Sequence, residues 1–419
     1  MKILWITNSP FPEAYQMLNL EAPVTVGWVH SAANALLDGN DHIELGVASF
    51  FRGKEMKELK SGRIIHYLIP DVLKAKPNDA SNDYLWHSLN EKFKPDVIHI
   101  HGTEYPHAYS FVRACGSDRV VVSIQGLVSV YERYYYGGIG KVDLLKSTTI
   151  RDLIRFDTLF AQHKKMKKRG EFERLLIEKV SHFIGRTSWD HDHVWAVNPK
   201  AGYHFCNETL RPSFYKSQWS LEKSERYSIF ISQAHYPIKG FHQMVKALPI
   251  ILEHFPQTKV YVAGNNFFSD RGLRINGFGY YVNRLIKLHK LEGKITFTGL
   301  LSEEEMSQRF LQSHVFVCPS AIENSPNSVG EAQLLGVPCI SAVTGGTADM
   351  IEHGETGLLY RFEEVEMLAS SVCQIFADKE LALKISKGGR ACAKVRHHKT
   401  RNAERLHQIY AEIINQTQN

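Results

Sequence analysis

Short apolar runs of four to six residues alternate along the chain with longer segments in which apolar residues recur at helical spacing. This alternation is typical of βαβ units and of a parallel sheet. The strand candidates of the first half are residues 3–7, 43–48, 64–68, 97–101, 120–124 and 183–186. Those of the second half are residues 228–232, 259–263, 295–298, 315–318, 339–342 and 358–360. Two sets of about six parallel strands predict an α/β protein with two doubly wound, Rossmann-like domains.

Two segments depart from this alternation of strand and helix patterns. At about 131–180 a helical stretch is dense in lysine and arginine and carries no strand signal, which predicts an insertion in the first domain. Residues 207–220 are polar and contain a proline, so we expect the hinge there. Both segments fall in or next to the first half of the chain.

The C-terminal segment has an amphipathic helical pattern. Its apolar positions are Leu406, Ile409, Tyr410 and Ile413, so one face of this helix must pack on a core. We predict an N-terminal domain over residues 1–210, which includes the basic insertion and is joined by a C-terminal helix at about 400–419. The second domain is predicted over residues 211–399.

Composition supports this division and narrows the setting. The chain has 419 residues, of which 43% are hydrophobic and 22% charged, and this length exceeds what one core normally serves. The net charge of +6 is too small to indicate nucleic acid binding, but it suits phosphate-bearing ligands or an anionic membrane surface. Without a signal-peptide pattern or CxxC pairs among its six cysteines, the chain is expected to be cytoplasmic with reduced thiols.

The most informative segment runs from residue 323 to residue 338. It follows the buried strand candidate at 315–318 and opens a helix. Ser325 is a favourable N-cap residue, Pro326 suits the first helical position, and Gly336 suits the position after the last turn. The pattern therefore places a helix N-terminus at the carboxyl end of a parallel strand.

This helix N-terminus predicts an anion site. The backbone N–H groups of Asn327 and Ser328 would point into the crevice where α/β proteins bind phosphates. Glu323 precedes the helix and Glu331 lies inside it, so two carboxylates flank the same end. A sugar nucleotide needs this combination, because carboxylates accept hydrogen bonds from hydroxyl groups while the helix end attracts the diphosphate.

A lysine is expected to reach the same crevice. Lys239 follows the strand candidate at 228–232 and a loop that contains Pro237, and it precedes a helix that begins near Phe241. Strand-end loops of a parallel sheet meet at one edge, where an ammonium group can neutralise phosphate. Its position indicates a phosphate contact more strongly than the Lys-Gly pair does alone.

The metal signals are weak. Asp190 and Asp192 have the DxD form that binds divalent metals in some sugar transferases, but they fit a helix N-terminal turn as well. His99 and His101 alternate on a strand without further ligands at a suitable spacing. We expect no metal site and no cofactor, and we expect His101 to end its strand facing the crevice.

Several motifs together resemble one known family. They are Glu323 and Glu331 separated by seven residues, Ile238-Lys239-Gly240, Phe297-Thr298-Gly299-Leu300, Gly345-Gly346 with Asp349, Gly354 to Leu359 and, less tightly, Pro95 to His101 with the loop around Gly27. This pattern is similar to family 4 of the retaining glycosyltransferases, including those that build bacterial surface polysaccharides. The resemblance covers almost the whole chain and implies the GT-B fold, in which two Rossmann-like domains face a central cleft.

The resemblance also implies roles for the second domain's residues. Glu323 would hold hydroxyl groups of the donor sugar near the anomeric carbon, and Glu331 would bind the ribose. Lys239 would neutralise the diphosphate, and the turn at Gly299 and Leu300 would meet the base through its backbone. The first domain is the family's acceptor side, with Gly27 beside the donor and with His101 and Trp28 as acceptor-side candidates.

Two positions depart from the family pattern. The family usually has a phosphate-clamping arginine five or six residues before the lysine, and those positions are Ala234 and Gln233 here. Leaving-group stabilisation must therefore be weaker or be shared with a residue such as Arg186 or Arg211. Gln125 stands where the family often has a histidine beside the transferred sugar. A neutral amide can orient a hydroxyl group but transfers no proton near neutral pH. Gln125 is therefore counted with Glu323 and Lys239 among the catalytic candidates, and Gln233 among the donor-binding ones.

The implied reaction is retaining transfer of a sugar from a nucleotide-diphosphate sugar to a hydroxyl acceptor, which is lipid-linked or an oligosaccharide. It would proceed on the front face, with departing phosphate helping to deprotonate the acceptor. Two alternatives share the architecture: a sugar-nucleotide epimerase and a non-catalytic sugar-binding or nucleotide-binding protein. A nicotinamide oxidoreductase would need a GxGxxG turn after the first strand, and residues 8–12 do not supply one.

The basic insertion suggests one further partner. Between residues 141 and 179, apolar residues recur at helical spacing and basic residues gather into a run at 164–169. One interpretation is a stripe that packs on the first domain under a solvated charged face. The other is a peripheral contact with an anionic membrane, which would guide a lipid-linked acceptor.

Overall fold

A computed structural model describes residues 1–23, 27–71, 80–266 and 274–418, with side chains through residue 416 in the last helix. The chain forms two compact units. Unit 1 comprises Met1–Val130, Lys167–Leu210 and His397–Asn419, and unit 2 comprises Tyr131–Met166 and Arg211–Arg396. Each unit is described by itself below.

Unit 1 is built on an eight-stranded sheet. Its strands are β1 (Lys2–Thr7), β2 (Glu44–Phe51), β3 (Lys57–Ser61), β4 (Ile64–Pro70), β5 (Val97–His101), β6 (Val120–Ser123), β7 (His182–Gly185) and β8 (Gly202–Phe205). Their order is β3-β4-β2-β1-β5-β6-β7-β8, and every pair is parallel except β3 with β4. The order reverses direction between β1 and β5, which is where doubly wound sheets bind ligands.

Helices connect the strands of unit 1 and form most of the insertion. They are α1 (Pro12–Met17), α2 (Trp28–Asp38), α3 (Asp83–Phe93), α4 (His107–Cys115), α5 (Val128–Tyr131), α6 (Lys141–Lys146), α7 (Ile150–Ile154), α8 (Leu159–Lys179) and α9 (Ser188–Val197). Short 3-10 turns lie at Ala80–Asn82 and Glu132–Tyr134. From α5 to the start of β7, the regular elements that the structure describes are all helical, as the sequence pattern of the insertion predicts.

The C-terminal helix packs on unit 1. It is the last of all and spans Lys399–Gln418. Leu406, Ile409, Tyr410 and Ile413 are buried in the core on one side of the eight-stranded sheet, so the predicted amphipathic docking is confirmed. Burial of three aliphatic side chains and one tyrosine accounts for the return of the chain to its N-terminal unit.

Unit 2 is built on a six-stranded sheet. Its strands are β9 (Glu225–Ile231), β10 (Lys259–Val262), β11 (Ile295–Phe297), β12 (Ser313–Cys318), β13 (Cys339–Ala342) and β14 (Leu358–Tyr360). All pairs are parallel, in the order β11-β10-β9-β12-β13-β14. The reversal of strand order falls between β9 and β12, which sets the expected position of a ligand site.

Helices cover this sheet. They are α10 (Phe241–His254), α11 (Gly277–Leu288), α12 (Glu303–Gln312), α13 (Asn327–Leu335), α14 (Val365–Ala377) and α15 (Lys379–Arg396), and α16 is the C-terminal helix of unit 1. Further 3-10 turns lie at Pro212–Tyr215, Pro237–Lys239 and Thr347–Asp349. Among the residues that the structure describes, no helix is long and apolar enough to cross a membrane.

All twelve predicted strands are present, with ends that differ by up to three residues, and two strands were missed. The prediction failed at β3 because its sequence, Lys-Glu-Leu-Lys-Ser, is mostly polar and pairs antiparallel at the sheet edge. It failed at β8 because this short edge strand begins with glycine and is only partly buried. Edge strands lack the continuous apolar run that identifies a buried parallel strand.

The insertion is divided between the units. The sequence placed all of about 131–180 in the first domain, whereas the structure groups residues 131–166 with unit 2. Two hydrogen bonds and one ion pair are among the contacts that hold the segment there. His242 is within hydrogen-bonding distance of the Gly137 carbonyl, Thr149 donates to the carbonyl of Ile275 at 3.0 Å, and Arg284 pairs with Asp143. Sequence periodicity does not reveal such long-range contacts.

Candidate active site

The centre of the candidate site in unit 2 is an ion pair. Lys239 follows β9 and Glu323 follows β12, the two strands at which the sheet order reverses. The Lys239 Nζ atom lies 2.6 Å from Glu323 Oε1. Burial alone lowers the pKa of Lys239, but the Glu323 carboxylate outweighs this and raises it, so the lysine stays cationic. The predicted meeting of these two residues at one sheet edge is confirmed.

Glycines fix both partners of this pair. Gly240 has φ +68°, and a Cβ atom there would overlap the carbonyl oxygen of Pro319. Gly345 has φ +53°, and a Cβ atom there would overlap the carbonyl oxygen of Glu323. The N–H of Gly346 donates to that same oxygen at 3.0 Å. The motif glycines therefore allow close backbone approach that holds Lys239 and Glu323 in position.

The helix α13 begins directly after Glu323, as predicted, but its cap differs. Pro326 is the N-cap, with extended backbone angles and no side-chain cap bond, and the first helical residue is Asn327. The prediction that Ser325 caps the helix was therefore wrong by one residue, because the extended Pro326 already supplies the carbonyl that the N–H groups of Val329 and Gly330 reach. Helix geometry leaves the first N–H groups, including those of Asn327 and Ser328, without partners inside the helix.

The second glutamate of the motif is bound by arginine. Glu331 is 5% exposed, and Arg211 donates to it in a bidentate manner, from Nε to Oε1 at 2.7 Å and from Nη2 to Oε2 at 2.8 Å. Burial lowers the pKa of Arg211, yet the hydrogen bonds that it donates to the Glu331 carboxylate, together with the charge of that carboxylate, raise the pKa above its ordinary value. This fork is the strongest geometry available to the two groups. Gly336 ends the helix in the left-handed conformation, as predicted.

The remaining donor-side candidates lie on turns of unit 2. Gln233 is exposed in the loop after β9. Gly299 has φ +80°, and its carbonyl accepts a hydrogen bond from the N–H of Gly264 at 2.9 Å. Leu300 is 63% exposed next to it. The structure thus presents the Gly299-Leu300 backbone at the end of β11, and the proposed role in base binding stays a prediction.

In unit 1, two histidines end β5 with contrasting surroundings. His99 lies within hydrogen-bonding distance of Tyr410 Oη and Ser123 Oγ, at 2.7 and 2.6 Å, so it joins the C-terminal helix to the sheet. Both ring nitrogens of His101 are buried and have no hydrogen-bond partner among the residues that the structure describes. Burial first, and then the charge of Arg186, lowers the pKa of His101 to about 3. His101 is therefore neutral at physiological pH.

His101 and Trp28 line one cavity. Their ring centroids are 6.1 Å apart, and the cavity has a volume of about 40 Å³. Arg186 and Glu208 form a buried ion pair in its wall. Gly27 is the N-cap of α2, immediately before Trp28, and its carbonyl accepts from Ser31. These acceptor-side candidates are thus brought together within unit 1.

Gln125 lies just beyond β6 in the same unit. Its side-chain amide nitrogen is buried, and no described residue accepts a hydrogen bond from it. An unsatisfied buried donor of this kind is costly unless a ligand or water meets it. The position is consistent with the predicted role in orienting a hydroxyl group, which remains a prediction.

The DxD segment has a structural role. Asp190 is buried in the first turn of α9, where its backbone N–H donates to the Thr187 cap. Its carboxylate accepts from the Arg186 backbone at 3.2 Å and contacts Tyr203, while Asp192 is exposed. In the described part of the chain, no three or more Asp, Glu, His or Cys side chains gather in a way that could hold a metal ion.

Sequence reasoning missed the partner of Glu331. It named Arg211 only as one of two possible replacements for the absent phosphate arginine, and Arg186 was the other. The structure gives each a carboxylate partner instead, Glu331 for Arg211 and Glu208 for Arg186. A sequence signal for these pairs is weak, since Arg211 and Glu331 are 120 residues apart.

Solved structures identify the fold. Over 99% of both chains, the structure is similar to sucrose-phosphate synthase from Thermosynechococcus elongatus, with a TM-score of 0.74 and 16% identity. It is also similar to Anabaena HepE solved in complex with UDP and glucose, with a TM-score of 0.66, 14% identity and coverage of 98% of this chain and 100% of that one. The protein has the GT-B fold of these glycosyltransferases.

Sequence comparison identifies the domain that carries the site. Residues 213–391 match the family described as glycosyl transferases group 1. The Bacillus subtilis protein YtcC, whose name refers to a glycosyltransferase, is 26% identical over 48% of each chain. A Mycobacterium tuberculosis GDP-mannose-dependent mannosyltransferase is 25% identical over 40% of this chain and 42% of its own length. The matches span about half the length of these relatives. Residues 213–391 are therefore similar to a group 1 glycosyltransferase domain, which agrees with the resemblance of the motifs.

Proposed function

We propose that the protein is a retaining glycosyltransferase that moves a sugar from a nucleotide-diphosphate sugar to a hydroxyl acceptor. The observation that carries the proposal is the Lys239–Glu323 pair at the point of strand-order reversal, next to the N-terminus of α13. A cation and a helix N-terminus suit a diphosphate, and a buried carboxylate suits sugar hydroxyl groups. The glycosyl transfer role itself agrees with the group 1 domain.

The donor interacts with unit 2 in this proposal. Lys239 and the first N–H groups of α13 stabilise the charge that develops on the departing diphosphate. Glu323 accepts hydrogen bonds from the transferred sugar, and Glu331, oriented by Arg211, accepts from the ribose. One structural neighbour was solved with UDP and one relative is named for GDP-mannose, so the base is left open.

The ion pair of Glu323 supports front-face transfer over double displacement within the proposed retaining reaction. A double displacement needs a carboxylate nucleophile that attacks the anomeric carbon. Glu323 is engaged by the ammonium group of Lys239, which lowers its nucleophilicity and favours a hydrogen-bonding role. We therefore propose front-face transfer, in which the departing phosphate oxygen accepts the acceptor's proton and the protein positions both substrates.

We propose that the reaction needs no metal. Lys239, together with the N-terminus of α13, takes the place that a divalent cation has in other sugar transferases. Activity should persist in a chelator. Complete loss in EDTA that Mn²⁺ or Mg²⁺ reverses would reject metal independence and return attention to Asp190 and Asp192.

The acceptor binds unit 1 in this proposal. Unit 1 offers neutral His101 and the indole of Trp28, which suit an uncharged hydroxyl-bearing group. A lipid-linked or oligosaccharide acceptor in surface polysaccharide synthesis fits this chemistry, and the basic segment at 164–169 would give a peripheral contact with the inner face of the plasma membrane.

One experiment tests the reaction class. A panel of UDP-sugars and GDP-sugars is incubated with the protein without acceptor, and proton NMR follows the released sugar before it mutarotates. We expect slow hydrolysis of one donor with release of the anomer present in that donor. Release of the opposite anomer would reject retention. Conversion of the donor into an epimeric nucleotide sugar would instead identify an epimerase, and absence of any turnover with tight nucleotide binding would identify a binding protein.

A further inference from the structure

The insertion presents apolar side chains to solvent. In α6, α7 and the turn after α7, six large apolar residues are each at least 58% exposed. The most exposed is Phe156, at 82%. We call this set the apolar ridge; it consists of Val142, Leu145, Ile150, Leu153, Ile154 and Phe156. So many exposed large apolar side chains within 15 residues are unusual for a surface that meets only water.

The ridge is held outward by contacts on the opposite side of the same helices. Leu144 and Asp152 are buried, Asp143 pairs with Arg284, and Thr149 caps α7 while it donates to Ile275. The capping box at Thr149 and Asp152 fixes where α7 begins. The exposure therefore belongs to an anchored segment of unit 2.

Positive charge surrounds the ridge in the sequence. Residues 141–169 contain nine lysines and arginines against three aspartates, a net charge of +6, and the net charge of the entire chain is also +6. The three aspartates are engaged, since Asp143 pairs with Arg284, Asp152 with Arg151, and Asp157 with Lys165. Lys141, Lys146 and Arg155 stay exposed beside the apolar residues.

We propose that the apolar ridge is a docking surface for an anionic lipid bilayer. Exposed apolar side chains enter the boundary between headgroups and acyl chains, while neighbouring cations contact lipid phosphates. A second copy of the chain fits less well, because a two-fold interface would bring two like-charged segments together. This inference rests on the membrane contact within the proposed function and deepens it, since it moves the principal contact from the basic run of α8 to the ridge on unit 2.

Liposome flotation of the full chain tests the ridge directly. The probes are vesicles of phosphatidylcholine with phosphatidylglycerol and vesicles of phosphatidylcholine alone, at low and high salt. We expect the wild type to bind the anionic vesicles at low salt. The double variant Ile154→Asp with Phe156→Asp should bind them about tenfold or more weakly, because two inserted side chains are lost. Val395→Asp is the matched control, since Val395 is 63% exposed on α15 of the same unit.

Charge variants separate the ridge from the basic run. Changing Lys141, Lys146 and Arg155 to Gln should weaken binding and its salt dependence more than changing Lys164, Lys165, Lys167 and Lys168 to Gln. The reverse order would overturn the ridge in favour of α8. Binding of the double aspartate variant equal to that of the wild type, or no wild-type binding at low salt, would overturn it too. Thermal unfolding checks that each variant is folded.

Two further measurements distinguish failure of the membrane proposal from failure of the proposed reaction. Sedimentation velocity across a range of protein concentrations reveals self-association. A dimer that the double aspartate variant abolishes would assign the ridge to a second copy and overturn the membrane proposal. Donor hydrolysis without acceptor should be unchanged in the ridge variants, so loss of membrane binding with hydrolysis intact supports the ridge. Absence of hydrolysis in the wild type would count against the proposed reaction alone.

Discussion

In unit 2 the two motif carboxylates each hold a cation, whereas in unit 1 the histidines at the end of β5 are buried and neutral. Glu323 binds Lys239 and Glu331 binds Arg211. His99 and His101 both have pKa values below the ordinary range, chiefly because burial disfavours their charged form. At the point where the strand order reverses, unit 2 thus presents two ion pairs, whereas unit 1 presents neutral imidazole rings beside the single Arg186–Glu208 ion pair of its cavity wall.

This difference indicates which chemical group of a substrate each unit can recognise. A diphosphate needs fixed cations, and a carboxylate beside each cation keeps it charged and oriented until a substrate arrives. A neutral imidazole ring can exchange a hydrogen bond with a hydroxyl group without adding a positive charge that would attract a phosphate.

Removing the cation of the central pair should have the largest effect. In Lys239→Ala the diphosphate loses its charge-assisted contact and Glu323 loses its partner, so we expect turnover to fall by about 100-fold or more. Steady-state kinetics of donor hydrolysis measures this. Lys287→Ala changes an exposed lysine elsewhere in unit 2 and should behave as the wild type. Turnover of Lys239→Ala within a fewfold of the wild type would remove the pair from the reaction.

Substitutions of the two glutamates should change different quantities. Glu331→Ala should weaken donor binding and lower the free energy of unfolding by about 3 kcal/mol, because Arg211 is left buried without its carboxylate. Glu323→Gln should mainly lower turnover, since it keeps shape and a hydrogen-bonding oxygen but not the charge. Calorimetric donor titration, kinetics and chemical denaturation measure the three quantities. Near-normal activity of both variants would place neither residue at the donor.

The neutral histidine predicts a pH dependence of stability. His101 has a pKa of about 3 when folded and an ordinary value of 6.5, so between these values the unfolded chain binds a proton that the folded chain does not. The free energy of unfolding should therefore fall as pH decreases below 6.5, by about 1.4 kcal/mol per pH unit from this one group. His101→Gln should show a shallower fall, because one group that gains a proton on unfolding has been removed. Part of the fall should remain, since burial also lowers the pKa values of His99 and His242. Identical slopes in urea denaturation would show that His101 is protonated in the folded protein.

The smallest expected effect concerns the missing arginine. If exposed Gln233 lies near the diphosphate, Gln233→Arg should tighten nucleoside-diphosphate binding by about tenfold or less, since a charge-assisted bond replaces a neutral one. Isothermal titration with UDP and with GDP measures it at two salt concentrations. Unchanged affinity would mean that Gln233 lies away from the phosphates or that other cations already suffice.

The sequence predicted the features that depend on local pattern. Buried parallel strands are continuous apolar runs, and the Lys239–Glu323 contact could be inferred because both residues follow strands of one sheet. It did not predict the Arg211–Glu331 fork or the grouping of residues 131–166 with unit 2. These depend on contacts between distant segments, for which neither periodicity nor capping gives a signal.

The N-terminus of α13 shows how closely the start of a helix can be predicted from sequence. The helix and its glycine end were predicted, and the cap was displaced by one residue from Ser325 to Pro326. Serine is the better capping side chain, but proline fixes φ and can supply an extended residue before the first turn. Local preference thus identified the element, while the backbone path after Glu323 determined where it starts.

Isothermal titration of UDP and GDP into three proteins tests the central contrast most directly. The account predicts that one nucleotide binds the wild type in the presence of EDTA, that Lys239→Ala weakens this binding by about tenfold or more, and that His101→Gln leaves it within a factor of about two. Nucleotide binding that survives Lys239→Ala but is lost in His101→Gln would contradict the assignment of the donor to the charge-paired site of unit 2.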